Sequence, residues 1–253
     1  MLCRIAGIYL TKHKGKDMQV KGFQLVYALS LLAASSGLHA FEFEPWGEEL
    51  YEYVGEKHGV HAKQHARDLN HLLLEVNHNS DTAKLQAVNA FFNQVRYVTD
   101  QEHWGQSDYW QTPLQTLFEF EGDCEDIAIA KYTALRVLGF DEEHLNLAYV
   151  MSNQGPHMVM SYQAEGSHDP LVLDILTQEI LPASKRKDLV PVYEFNSTHL
   201  WLADKKTFEH GAELPGNSLK LKEELLDRID KNLLTLQAHN DGKPLFPFAL
   251  HTL

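Results

Sequence analysis

Apolar positions recur at helical spacing soon after residue 80. In TAKLQAVNAFFNQVRYV, Leu85, Val88, Phe92 and Val95 fall on one side and Ser80 and Asp81 stand ready to cap, so the spacing predicts a core-facing helix. A second helix is expected to open at Cys124. Its Ile127, Ala130, Ala134, Val137 and Leu138 share a side, and Gly139 stands where a left-handed C-terminal residue is wanted. The pattern then changes period. LNLAYVMS, HMVMSY and LVLDIL are short, partly β-branched or aromatic, and bounded by Gly, Pro, Asn and Asp, which reads as an antiparallel meander. VPVYEFNSTHLW predicts a further strand with a corner, GAELPGNS a loop, and LKLKEELLDRIDKNLLTL an amphipathic helix near 218–237 with Leu225, Ile229, Leu233 and Leu236 inward. Helices followed by such strands suggest an α+β layer fold. Between the two helices runs TDQEHWGQSDYWQTPLQTLFEFEGD, polar and dotted with aromatics, in which Pro113 opens a short helical turn. Connections of this length are uncommon unless they serve a site, so Trp104, Tyr109 and Trp110 form either a cleft wall or local core.

The N-terminus reads differently. Lys21 precedes FQLVYALSLLAA, too short to span a bilayer, and SSGLHA follows with a small residue at Ala40; residues 1–40 are expected to be a secretory leader, and a start at Met18 gives the more conventional form. An uncleaved amphipathic anchor is the competing reading. Residues 41–253 are then a single domain. The full chain carries a formal charge of −13; residues 1–40 hold Arg4, Lys12, Lys14, Lys16 and Lys21 against Asp17, a net +4, so the remainder carries about −17. Such a surface argues against nucleic acid or an anionic membrane and favours cations or basic proteins, plain solubility being the alternative. Removing the leader also removes Cys3 and leaves Cys124 alone. A single thiol in an oxidising compartment is either buried and inert or kept for chemistry.

Thiol catalysis needs a thiolate, a histidine and a group that holds the imidazole in its useful tautomer. Cys124 opens a helix, where the dipole favours an anion; His157 begins a strand; and Asp174 sits inside the apolar run LVLDIL, where an ionised carboxylate requires a partner. Adjacent strands of a meander could set His157 beside Asp174 while the helix end delivers Cys124. Taken singly, each residue is as well explained as structural. Asp123, Glu125 and Asp126 flank the thiol and by themselves raise its pKa. They either cap the helix in solvent or supply hard oxygen ligands of the kind that suit Ca²⁺ better than zinc, with Asp123 and Glu125 ranked first and Asp126 next. His58, His61 and His65, at i, i+3 and i+7, leave a metal-binding module as a separate alternative, weakened by the lack of an acidic partner.

DYWQTPLQTL, GDCEDIAIAKYTALRVLGF, HMVMSY, PLVLDIL and LPASKRKDLVPVYEFNSTHLW, in that order, resemble the LapG family of periplasmic bacterial transglutaminase-like cysteine proteinases over roughly residues 85–202. The resemblance implies a papain-like/transglutaminase-like core with Cys124 as nucleophile, His157 as base and Asp174 as orienting residue. It implies calcium dependence and a large repeat-containing surface adhesin as substrate, cut near its N-terminal retention module between two alanines, with release of the adhesin and dispersal of biofilm. It further implies an inner-membrane cyclic-di-GMP receptor as inhibitor. Ile175 stands where the family usually has Asn, and FEFE before Gly122 is bulkier and more acidic than usual. A transglutaminase would use the same three residues to pass the acyl group to an amine.

Overall fold

In the computed structural model the described residues are 45–204, 207–208, 210–214, 220–243 and 245. The expected leader lies outside them. Helix α1 (Glu48–His58) is divided from α2 (Val60–Val76) by Gly59, whose φ of 95° favours glycine. Helix α3 (Asp81–Phe92) is capped as expected, with Ser80 Oγ accepting from the Ala83 N–H. It stops at Phe92, so Val95 is buried from the turn beyond rather than from the helix. That turn leads into β1 (Arg96–Tyr97).

The long connection is built from short capped pieces. Thr99 with Glu102 and Thr112 with Gln115 form capping boxes that open α4 (Asp100–His103) and α5 (Pro113–Glu119), and β2 (Glu121–Gly122) pairs parallel with β1. Helix α6 (Cys124–Val137) buries twelve of its fourteen residues and ends before Gly139 at φ 86°. It is the central helix, packed between α3 and α5 on one side and the sheet on the other.

The strands are β3 (Leu145–Ser152), β4 (Gly155–Tyr162), β5 (Leu171–Leu173), β6 (Leu181–Pro182), β7 (Leu189–Phe195), β8 (Leu200–Ala203) and β9 (His210–Glu213). Among the described residues they form one sheet in the order β6-β5-β4-β3-β7-β8-β9, antiparallel throughout. The meander expected from the sequence runs from β3 to β6. The chain then returns to the other edge of β3, and part of GAELPGNS pairs as β9 instead of forming a loop. Alternation along the strands divides the apolar residues: Leu147, Met158, Met160 and Phe195 join the core around α6, and Ala148, Val150, Val159 and Val172 form a second cluster on the opposite face. Helix α7 (Lys220–Gln237) buries Leu225, Ile229 and Leu236 and half-buries Leu233. It braces the connection before α5, with Asn232 Nδ2 donating to Thr112 Oγ1 at 3.0 Å and the Arg228 guanidinium 4.4 Å above the Tyr109 ring.

The layering predicts unequal sensitivity to truncation. Ile129 on α6 is fully buried between the layers, whereas Leu234 on α7 is 70% exposed. Urea titration of Ile129→Ala is expected to show a loss of about 2–5 kcal/mol, and of Leu234→Ala less than about 0.5 kcal/mol.

Candidate active site

The buried first turn of α6 starts from a glycine. A Cβ at Gly122 would lie 2.6 Å from Asp126 Oδ2 and 2.9 Å from Gln111 Nε2, so only hydrogen fits. That closeness lets Asp126 fold back into the protein. Its Oδ1 accepts from the Gln111 N–H at 2.7 Å, and its Oδ2 accepts from Gln111 Nε2 at 2.7 Å and from the Asp123 N–H at 3.2 Å. Burial pushes the Asp126 carboxyl up to about 7, although these hydrogen bonds pull against it.

Asp123 and Glu125 point elsewhere, and a residue that the sequence did not single out joins them. Asp100, the first residue of α4, places a carboxylate oxygen with one from each of them so that the three lie within 4.8 Å of one another. Asp100 Oδ2 accepts from the Tyr109 N–H at 2.6 Å, while Asp123 Oδ1 is buried without a hydrogen-bond donor. Asp126 lies outside this group, turned onto Gln111. The signal for Asp100 was present in TDQE, a capping-box spacing that sets Asp100 at a helix start, but nothing local says which other helix that start will face. Burial, then the neighbouring carboxylates Glu125, Asp126 and Asp100, hold the Asp123 carboxyl far above the carboxylate range. The Cys124 thiol is pushed up first by burial, then by the charge and hydrogen bond of Glu125; Sγ donates to Glu125 Oε2 at 3.0 Å and faces the Met158 backbone N–H.

His157, one residue earlier on β4, is also buried. Its Nε2 lies 2.7 Å from Asp174 Oδ1, just past β5, which leaves Nδ1 as the other reactive nitrogen of the ring. Asp174 is nearly inaccessible to water, and burial alone would raise its pKa. Hydrogen bonds and charge from His157, the Leu176 N–H at 3.1 Å and Arg186 Nη2 at 2.6 Å on Oδ2 outweigh that and hold it at about 2. Arg186 in turn pairs with Asp188 at 2.8 Å. Nothing in SKRKD marked Arg186 in advance. Trp110, a possible cleft wall, is core, buried and stacked on Phe195 at 5.7 Å. His58, His61 and His65 share no helix, because the break at Gly59 separates the first from the others; His58 and His65 lie against Phe118 and Phe120 at 4.7 and 4.2 Å. Asp100, Asp123 and Glu125 are the one set of metal-ligating type found among the described residues.

A family model described as bacterial transglutaminase-like cysteine proteinase, BTLCP, matches residues 45–196, which takes in α1 to β7 and every residue just described. The chain belongs to the bacterial transglutaminase-like cysteine proteinases. Within that family it is similar to solved structures of Legionella pneumophila LapG. The EGTA-treated form is 33% identical with a TM-score of 0.62, over 74% of this chain and 100% of that one. The calcium-bound form is 33% identical with a TM-score of 0.60, over 71% of this chain and 98% of that one. No curated protein matches. This transglutaminase-like cysteine proteinase therefore has the mixed helix and antiparallel sheet fold of its family, and Cys124 is the only cysteine in the matched segment.

Two outcomes test the site. Gly122→Ala forces Asp126 and Gln111 apart and is expected to lower stability by about 1–3 kcal/mol in urea. Asp123 and Asp126 have folded pKa values raised above the unfolded carboxylate value, so their contribution is full below about pH 4 and lost as pH rises, for Asp126 through about 7. In chelator, the urea midpoint should fall from pH 5 to pH 8, and Asp123→Asn should flatten the slope; a midpoint that rises over that range contradicts the electrostatics.

Proposed function

We propose that this protein is a calcium-dependent periplasmic cysteine endopeptidase that cuts a large repeat-containing surface adhesin near its N-terminus, between two alanines, freeing it from the cell and dispersing biofilm. An inner-membrane cyclic-di-GMP receptor would hold the enzyme inactive through its periplasmic domain. One observation carries the reading. Cys124 occupies the buried N-terminus of α6 facing the Met158 backbone of β4, and the preceding residue of that strand is a histidine whose Nε2 is fixed by a buried, arginine-paired aspartate, in a chain of the cysteine proteinase family. The membership of the family gives the reaction class, and the resemblance to LapG supports the substrate, the regulator and the compartment.

In the proposed mechanism Asp174 accepts the Nε2–H and so presents Nδ1 as the base. His157 takes the Cys124 proton, the thiolate attacks the scissile carbonyl, and the carbon–nitrogen bond breaks as His157 returns that proton to the leaving amine. Water then attacks the thioester, giving its proton to His157, and the thiol is reformed. The Cys124 backbone N–H, unpaired within its helix at the first position, is a donor for the oxyanion. Substrate would lie over the sheet face that continues past the start of α6. There Tyr149 and Tyr193 stack at 4.9 Å and the exposed Met151, Val190 and Leu202 extend the apolar surface on β3, β7 and β8. Tyr193, pushed up to about 12 by burial and then by Tyr149, Asp108 and Glu125, marks where that face meets the acids.

Asp100, Asp123 and Glu125 fit calcium. They offer clustered hard oxygens and an orphaned buried Asp123 Oδ1, with no nitrogen or sulfur donor among the three. When bound there, the cation supplies positive charge that offsets the penalty these acids impose on the thiolate. Asp126, with both oxygens engaged, serves to hold Gln111 and the helix start.

The test is to incubate the purified protein with the N-terminal region of the host's large repeat adhesin, in calcium and in chelator, and to analyse the products by mass. Cleavage in calcium, lost in chelator and in Cys124→Ala, is expected; equal cleavage by the variant, or transfer of the acyl group to an amine in place of water, would sink the endopeptidase reading. Asp100→Asn should raise the calcium needed for half-maximal cleavage about ten- to a hundredfold, the usual scale when a group supporting a metal site is lost.

A further inference from the structure

Lys131 sits midway along α6 with only 1% of its surface exposed, yet it meets no carboxylate at hydrogen-bond distance. Its Nζ donates to two amide oxygens on α3 and its end, Asn89 Oδ1 at 2.8 Å and Asn93 Oδ1 at 2.5 Å. Both amides then turn their nitrogens toward one loop. Asn93 Nδ2 donates to the Asp174 carbonyl at 3.1 Å, the Thr177 carbonyl at 3.2 Å and Gln178 Oε1 at 3.3 Å; Asn89 Nδ2 donates to the Gln178 carbonyl at 3.2 Å. Lys131 Nζ is the donor in both of its bonds, and the loop presents acceptors only, so each amide has a single orientation that satisfies both sides. A neutral apolar side chain at 131 would remove that instruction and leave the amides free to flip.

We infer that Lys131, acting through Asn89 and Asn93, is a positioning residue that ties the helix bearing Cys124 to the loop bearing Asp174 and so sets the register of the imidazole between them. The inference rests on the roles proposed above for Cys124, His157 and Asp174. Its reach is through the backbone of Asp174, whose side chain is already held by Arg186 and the Leu176 N–H; with the carbonyl side fixed by Asn93, the carboxylate has little freedom left. Hydrogen-bond polarity is the distinguishing element. If Lys131 were only a buried charge needing a partner, an aspartate at 93 would suit it better than asparagine. Asn93→Asp keeps an acceptor for the ammonium but turns an acceptor toward three acceptors of the loop.

The experiment compares Lys131→Met, which keeps the length of the side chain, with Asn93→Asp, using the adhesin fragment in calcium. A displacement of the reacting groups on the order of 1 Å costs about a hundredfold in rate, so kcat is expected to fall about ten- to a hundredfold in both, with KM within about twofold of wild type. The second readout needs no substrate: the hydrogen-bonded imidazole N–H proton of His157, assigned by NMR through its loss in His157→Gln, should broaden or shift in both variants. Wild-type kcat with an unchanged resonance in Asn93→Asp overturns the inference, and so does a lowered kcat with an unchanged resonance. Should Lys131→Met fail to fold, Asn93→Asp decides alone. Cleavage by Cys124→Ala would instead refute the protease reading, and the resonance would still test the clamp.

Discussion

The reactive end of this protein depends on a helix start buried among carboxylates. A helix N-terminus exposes backbone donors that require acceptors, and in α6 the acceptor comes from within the first turn, as Asp126 reaches back to the Asp123 N–H while gripping Gln111. The close approach needs a residue without a side chain at 122. Those contacts leave Asp123 and Glu125 turned toward Asp100, with Cys124 between the acids and β4. The same geometry that places the thiol at the favourable end of a helix dipole also surrounds it with negative charge, and burial strengthens that opposition. Cation binding at these oxygens would join the two halves of the contradiction, so the proposed calcium dependence belongs to the surroundings of Cys124 rather than to an accessory site.

A second buried arrangement is organised on the opposite principle. Around His157 the charges are paired in a chain: Asp174 takes the imidazole Nε2, Arg186 Nη2 takes the other carboxylate oxygen, and Asp188 pairs with the same guanidinium. Isolated, an aspartate in that position would be costly, and its low pKa reflects partners that win over burial. Helix α6 connects the two arrangements, carrying the thiol at its first residue and the buried Lys131 amine two turns along. Cys124 and Asp174 are therefore held by one helix and its neighbours, the precision that the proposed chemistry requires.

The legible parts of the sequence were those where one local rule sufficed. Period-3.6 spacing located α3, α6 and α7, and short bounded apolar runs located β3, β4 and β5. Asp174 stood out as a charge inside an apolar strand, and Lys131, within IAIAKYTAL, carries the same mark of a polar residue in an apolar run. The long connection was harder, because its capping boxes are only three residues deep and its aromatics divide by burial: Trp110 packs into the core while Tyr109 lies partly open beneath Arg228. The turn that ends α3 before Val95 and the pairing of β9 depend on neighbours distant in sequence.

By itself the sequence determined the longer helices and the central strands, the single thiol of the segment matched to the family, the out-of-place aspartate and the excess of acids around the cysteine, since periodicity, composition and local capping are properties of adjacent residues. Tertiary structure decided which acids face each other. Asp126 turns inward to Gln111, Asp100 arrives from 23 positions upstream of Asp123 to take part in the acidic group, and Arg186 crosses from the segment before β7 to pair with Asp174. The physical reason is that the orientation of a buried charge is chosen by the partners that can offset its desolvation, and those partners are brought together only when the layers pack.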